Sequence, residues 1–438
     1  MSRAVFFIAL ALLATKAADT QASSKAEGAT MNRAQPSWGT NLIERKLSNG
    51  LRVVILPQPS ATTVAIHTWF DSGSALDPPN ATGVAHLLEH LMFKSTKTRH
   101  SGQFDSFLES HGSHANAATW LDWTVFHQVV LPQQVTEVLR FEADRMQGLA
   151  WRPDEFDTEL EVVRNERREQ VEDQPDGRSS ELLYALAYGK DSYGHPTIGH
   201  AADLKSMRQS ALRDHYRRHY GPNRAVVVMV GAISQGIMET IEALYGEMKS
   251  SPPAPERGAT KLPALGGRRV KVTTKGQSDR LHMGWRSVAV THADHPELTV
   301  LAEVLANAES ARLTEALTRT RKLASVVSLH QTMTQRTGLF ELQIDALPGV
   351  SAESVADVVE RMIDDLLKQQ AVTDVEVKAA QRRLLARRYN TLASADGCAE
   401  LLGMFSIIAG SAHGAQRWIS AIETVTAVDV QRAARRWL

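Results

Sequence analysis

The segment His86-Leu87-Leu88-Glu89-His90 carries the residue types and spacing best suited to chemistry. In a helix, residues four apart stand one turn above each other, so these two imidazoles would project side by side and grip one ion. Glu89 would stand about 60° from His86 and about 100° from His90 around a 3.6-residue helix, beside the ion without having to bind it. A general base acting on metal-activated water belongs at that position. Zinc held by two histidines and one carboxylate keeps an open position and lowers the pKa of a bound water from about 15.7 to about 7, which suits hydrolysis of an unactivated amide. Three fixed positions in five also recur by chance, so the pattern needs a third ligand.

The stretch Asp154 to Gln170 has helical spacing, and Glu159, Val162, Val163 and Glu166 follow the i, i+3, i+4, i+7 series. A carboxylate on an otherwise apolar face wants a partner, and a metal would satisfy it. Equally, Glu155, Glu159, Glu161, Glu166 and Glu169 with Arg164, Arg167 and Arg168 read as a solvated acidic helix. The pattern alone leaves both readings open. Cys398 stands alone among 438 residues, so metal donors must be nitrogen and oxygen rather than a thiolate cage.

The elements that must position these groups fall into two halves. A chain of 438 residues exceeds one ordinary core. Its hydrophobic fraction of 43% and charged fraction of 22% are those of a globular protein. Lys+Arg and Asp+Glu balance at 49 each, which excludes the strong positive field of a nonspecific nucleic-acid binder. Arg3 followed by the apolar run Ala4 to Ala14 and small-residue sites ending at Ala17 or Ala22 reads as an export signal over residues 1–22, with a leader over 23–40. The expected location is therefore the periplasm or the exterior, with no span in the mature chain because no later apolar run reaches about 20 residues.

Folding is expected to begin near Asn41, with a first domain over 41–249, a Pro/Ser/Gly-rich linker over 250–265 and a second domain over 266–438. Each flank opens with two strand-like runs and a helix. Leu51–Leu56, Thr63–Phe70 and Gly83–Phe93 form one series, with Thr82 as helix cap; Arg269–Val272, Leu281–Trp285 and Glu297–Ala306 form the other. The separation of roughly 215 residues reads as a duplication. With further strands at Thr124–Leu131 and Ala225–Gly231, the expected fold is α+β, two homologous halves, each a mostly antiparallel sheet packed with helices.

The order His86-x-x-Glu89-His90, then Glu159 and Glu166 within Glu-x-x-x-Val-x-x-Glu, resembles the pitrilysin and insulinase-like zinc metallopeptidases, in the short bacterial branch related to mitochondrial processing peptidase. Asn49-Gly50-Leu51-Arg52-Val53, Met92-Phe93-Lys94-Ser95-Thr96, Asn116-Ala117-x-Thr119 and Tyr220-Gly221-Pro222-Asn223 are similar as well. The resemblance runs from about residue 41 to the C-terminus. It implies one zinc per chain on His86, His90 and Glu166, Glu89 as base and Glu159 orienting a ligand. It implies too that Asn116, Ala117 and Thr119 lie on an edge strand that receives an unfolded peptide, and that paired halves close on that peptide.

One departure stands out. Active members place an arginine and, seven residues later, a tyrosine in the second half; Thr318 and Ser325 occupy those positions here, with Arg319 and Arg321 nearby. A homologous partner subunit or a homodimer would then supply the pair. The alternatives are a noncatalytic or metal-binding scaffold of the same fold, against which Glu89 argues, since a scaffold has no use for the base. Two further histidine pairs read differently: His215 and His219 as a polar helix face beside Arg217 and Arg218, and His111 and His114 as loop residues.

Overall fold

Ala225 to Gly231 is apolar at every position, the signature of a strand covered on both faces, and it becomes the buried middle of a sheet. The structure, a computed structural model, describes residues 41–253, 262, 270, 271 and 278–438. The signal and leader segments, most of the linker and two residues of the expected Arg269–Val272 strand, 269 and 272, lie outside the described residues.

The first half runs β1 (Ile43–Lys46), β2 (Arg52–Pro57), β3 (Val64–Phe70), α1 (Val84–Leu91), α2 (Gln103–Ser110), β4 (Ala115–Thr119), β5 (Thr124–Val130), α3 (Val135–Gln147), α4 (Pro153–Arg167), α5 (Pro175–Tyr188), α6 (Ala201–Ser206), α7 (Gln209–His219), β6 (Ala225–Gly231) and α8 (Ile237–Tyr245). The second runs β7 (Arg280–Arg286), α9 (Asp294–Leu305), α10 (Arg312–Thr314), β8 (Ala324–Gln331), β9 (Leu339–Ala346), α11 (Ala352–Lys368), α12 (Asp374–Leu392), α13 (Ala395–Ile408), α14 (His413–Thr424) and α15 (Ala427–Trp437). The first sheet has the order β1-β2-β6-β3-β5-β4, antiparallel except where β2 meets β6. Among the described residues the second is β7-β9-β8, antiparallel throughout. The fold is α+β in two halves that repeat strand, helix, two strands and a helical run.

The halves are not closed units. Val54, Leu56, Trp69, Val226 and Val228 form an apolar face of the first sheet, and α13 of the second half lies across it on β3 and β6. Gly403 makes this approach possible, because a Cβ there would fall 2.0 Å from Trp69 Nε1. Reciprocally, α5 of the first half lies on β7, with Leu183 against Gly284. The exchanged helices open alike, Pro175-Asp176-Gly177 and Ala395-Asp396-Gly397, and each aspartate reaches the other half's strands: Asp176 meets Arg280 and Gln343, Asp396 meets His67. Non-local cover of a sheet face leaves no local period in sequence, so each half reads there as self-sufficient.

Ser251 is buried and tied to Gly221 and Asn223, so the first half extends past residue 249 into the stretch read as linker. No single helix among the described residues is long and apolar enough to cross a membrane; α12 and α13 satisfy length and composition only as a pair bent by 111°, and α13 is spent covering the first sheet.

Candidate functional site

Helix α1 is buried over its whole length. Val84, Leu87, Leu88 and Leu91 enter the core of the first half, which turns His86, Glu89 and His90 to the opposite side. Its N-terminus departs from expectation. Thr82 does not cap it: the Thr82 hydroxyl donates to Asp203 Oδ2 at 2.5 Å. Gly83 is the cap residue at φ 90°, and the Asp77 carboxylate accepts from Gly83 N at 2.7 Å and Ala85 N at 2.9 Å. Only glycine fits there, since a Cβ would meet Ile198 O at 2.6 Å. A cap supplied from six residues upstream, across Pro78 and Pro79, is invisible to a scan for adjacent Ser or Thr.

Helix α4 brings its two carboxylates to the histidines. Val163 is buried, whereas Val162, placed on the same face by the spacing, is 42% exposed. The His86, His90 and Glu166 donor atoms all lie within 4.8 Å of one another. Glu166 Oε2 is 3.8 Å from His86 Nε2 and 3.5 Å from His90 Nε2. Tetrahedral donors about 2.0–2.1 Å from zinc would stand about 3.3 Å apart, so an ion fits with little movement. Glu166 Oε2 is buried with no hydrogen-bond partner among the described residues, while Gln170 Nε2 donates to the other oxygen at 3.0 Å. A buried carboxylate oxygen held open between two imidazoles suits a cation. On the far side of the His90 ring, Glu159 Oε2 faces Nδ1 at 3.2 Å, and Lys94 Nζ meets Glu159 Oε1 at 2.7 Å. Glu159 thereby fixes the ring with Nε2 toward Glu166.

Protonation follows from these contacts. Burial lowers the His86 pKa to about 4. Burial works the same way on His90, but the Glu159 carboxylate bonded to it and the negative charge of Glu166 beside it outweigh burial and raise that ring to about 9. Burial opposes charge on Glu159 and Glu166, yet the neighbouring His90 holds both below the ordinary carboxylate range. Glu89 is raised to about 7, chiefly by burial. Its hydrogen bond comes from β4, where Thr119 Oγ1 donates to Glu89 Oε2 at 2.5 Å.

Thr119 is thus turned inward from β4, and Asn116 Oδ1 accepts from the Ala117 amide at 2.9 Å. β4 is the edge of its sheet, beside β5. Thr318 donates to the Thr314 carbonyl at 2.7 Å and Ser325 to the Asp345 carbonyl at 3.3 Å; exposed Arg319 pairs with Glu309. His215 and His219 are buried rather than on a polar face, and His215 Nε2 meets Ser72 Oγ at 3.1 Å. His111 is the C-cap of α2 and His114 follows in the loop before β4.

Two family models match the chain: residues 52–201 match Insulinase (Peptidase family M16), and residues 206–384 match the Peptidase M16 inactive domain. An uncharacterized zinc protease of Bacillus subtilis is 26% identical over 392 residues, 89% of this chain and 93% of that protein. A probable mitochondrial-processing peptidase subunit beta of Arabidopsis thaliana is 25% identical over 413 residues, 90% of this chain and 75% of that protein. The crystal structure of a protease from Helicobacter pylori superposes with a TM-score of 0.86 at 25% identity, covering 90% of this chain and 96% of that one.

Proposed function

Because the chain belongs to the insulinase family of peptidases, we propose that it is a zinc-dependent endopeptidase acting on unfolded peptides, with one ion per chain on His86, His90 and Glu166. The observation that carries this reading is the open Glu166 oxygen 3.5 and 3.8 Å from the two imidazoles, with Glu89 beside them. Bound zinc would supply Lewis acidity to the scissile carbonyl and acidify the attacking water. Glu89 takes the proton of that water and passes it to the departing amine, and the Thr119 hydroxyl holds one carboxylate oxygen so that the other faces the reaction. Glu159 positions His90. Asn116 and Ala117 on the edge of β4 meet the peptide backbone by strand addition, with Thr119 at the end nearest Glu89.

Thr318 and Ser325 are engaged with backbone carbonyls in the second half, which supports the need for a homologous second chain, identical or not, to bring an arginine and a tyrosine. The export signal at residues 1–22 supports work in the periplasm or outside the cell. The test is an assay on unstructured peptides with the purified chain, alone and with candidate partners, beside Glu89→Gln. Zinc-dependent cleavage that needs Glu89 is expected. Full activity as a monomer ends the two-chain part, and zinc binding with no cleavage in any combination leaves a scaffold.

A further inference from the structure

A second group of two imidazoles and a carboxylate lies on the opposite face of the first sheet. Neighbouring residues of a strand point to opposite faces, and Phe126 of β5 faces the core beneath α1, so His127 faces α13. His67 stands directly opposite His127 on β3. From α13 of the second half, Asp396 enters between them: its Oδ1 is 2.8 Å from His67 Nε2 and 3.8 Å from His127 Nδ1. The three donor atoms lie within 4.8 Å of one another, and apart from the α1 cluster no other such group occurs among the described residues. Ring geometry repeats as well. The His67 and His127 centroids are 5.2 Å apart at 50°, against 4.9 Å and 63° for His86 and His90.

From this repetition we infer that His67, His127 and Asp396 form a second divalent-cation site, selective for borderline transition ions such as zinc, cobalt or nickel, that clamps α13 of one half to the sheet of the other. Two imidazole nitrogens with one carboxylate oxygen are the donor set of that class of ion. His67 supplies a rigid wall at 2% exposure, while the side chains of His127 and Asp396 remain 31% and 45% exposed, so an ion can enter from solvent and keep water in its remaining positions. Glu400, one turn along α13, is within electrostatic reach of both Asp396 and His127 and adds negative charge at the mouth. The N-terminus of α13 opposes a cation, which makes this site weaker than the one on α1, the second to fill and the first to empty. Its occupant joins strands β3 and β5 to a helix more than 250 residues away along the chain, the contact by which one half covers the other.

Cobalt titration of the full chain carrying His86→Ala and His90→Ala isolates the site, followed by visible absorption and calorimetry. One equivalent is expected to bind. Adding His127→Ala and Asp396→Asn, two partly exposed positions, should weaken that binding by at least about 10²-fold, beyond the cost of losing an outer partner. A parallel titration of the unaltered chain, expected to fall from two equivalents to one with the same two substitutions, covers the case in which the α1 variant does not fold. No cobalt bound up to millimolar free metal, or binding changed less than tenfold by the paired substitutions, overturns the inference. Because the α1 donors are absent from the first titration, neither result depends on whether the chain is a peptidase.

Discussion

Helix α1 buries two imidazoles that converge with Glu166 of α4 on one point, whereas α9, its counterpart in the second half, buries polar side chains that diverge to fixed partners. In α9, Asp294 meets Arg432, Arg436 and Trp437, and Glu303 meets Arg387 and Asn307. His295 accepts from Trp418 Nε1 at 3.1 Å. Leu298, Val300, Leu301, Val304 and Leu305 of the same helix are core. Burying a polar group costs free energy wherever it happens. The second half sets the chain's own guanidinium groups against these carboxylates and gains cohesion, even at Glu303 Oε2, which has no hydrogen bond but lies 3.5 Å from Arg383 Nε; the first leaves Glu166 Oε2 between two imidazoles, an arrangement that suits an ion.

The sharpest break between the two helices is Glu89→Gln. Cleavage should fall by roughly 10²–10⁴-fold, the scale of a lost general base. Zinc held at the α1 histidines should be retained, because the hydrogen bond of Glu89 is to Thr119 rather than to a ligand. Measuring kcat/KM beside metal content checks both, and undiminished cleavage would place the base elsewhere. The opposite outcome is expected from Leu301→Ala in α9. Deleting a fully buried side chain should cost about 2–5 kcal/mol of stability, read from denaturant unfolding, with zinc stoichiometry intact. If the folded variant lost its zinc, α9 would be more than support.

Glu159→Gln probes the link between the two carboxylates and one ring. Zinc affinity should drop about 10–100-fold in chelator competition, the usual effect of an outer partner. The sign of the pH dependence follows from His90. Without metal that ring is raised to about 9, so at neutral pH it carries a proton that zinc must displace. Affinity should weaken about tenfold per unit as pH falls below about 9, with one proton released per ion, measurable by calorimetry in buffers of different ionisation enthalpy. His86, lowered to about 4, adds to that slope only in acid. Glu159→Gln removes a bond that raises His90, so the slope should begin at lower pH. An unchanged onset would mean that Glu159 does not govern the ring.

What sequence makes legible here is whatever repeats along a helix or strand. His86 and His90 are one turn apart, Glu159 and Glu166 two turns apart, and β6 is apolar at every position, so their faces follow from helix and strand periodicity alone. The choice between ligand and solvated charge on α4 needed the family resemblance, since Arg164, Arg167 and Arg168 made the second reading physically sound. Illegible were the contacts between distant segments: Thr119 turning in to Glu89, Lys94 holding Glu159, Asp396 reaching His67 across the two halves. Each depends on which strand lies beside which and on which half covers which face. Val162 shows the limit even locally, since a position one turn from both carboxylates still faces water.

The smallest effect sharpens the comparison most, because an aspartate stands at the start of each helix for a different purpose. Asp77 accepts from two backbone amides at the start of α1 and is the only carboxylate holding those amides among the described residues; Asp294 opens α9 and spends itself on Arg432, Arg436 and Trp437. Burial raises the Asp77 carboxyl to about 8, so at neutral pH Asp77→Asn removes chiefly one of the two acceptors that hold the helix start, a loss of about 0.5–2 kcal/mol. Since α1 carries the histidines, part of that loss should reappear as zinc affinity lowered severalfold and a matching fall in kcat/KM. Asp294→Asn gives up ion pairs whose arginines are about half exposed, so it should lower thermal stability slightly and leave zinc affinity and cleavage where they were. Equal losses of zinc affinity in the two variants would mean that both helix ends position the site, and the division between a chemical half and a cohesive half would have to be withdrawn.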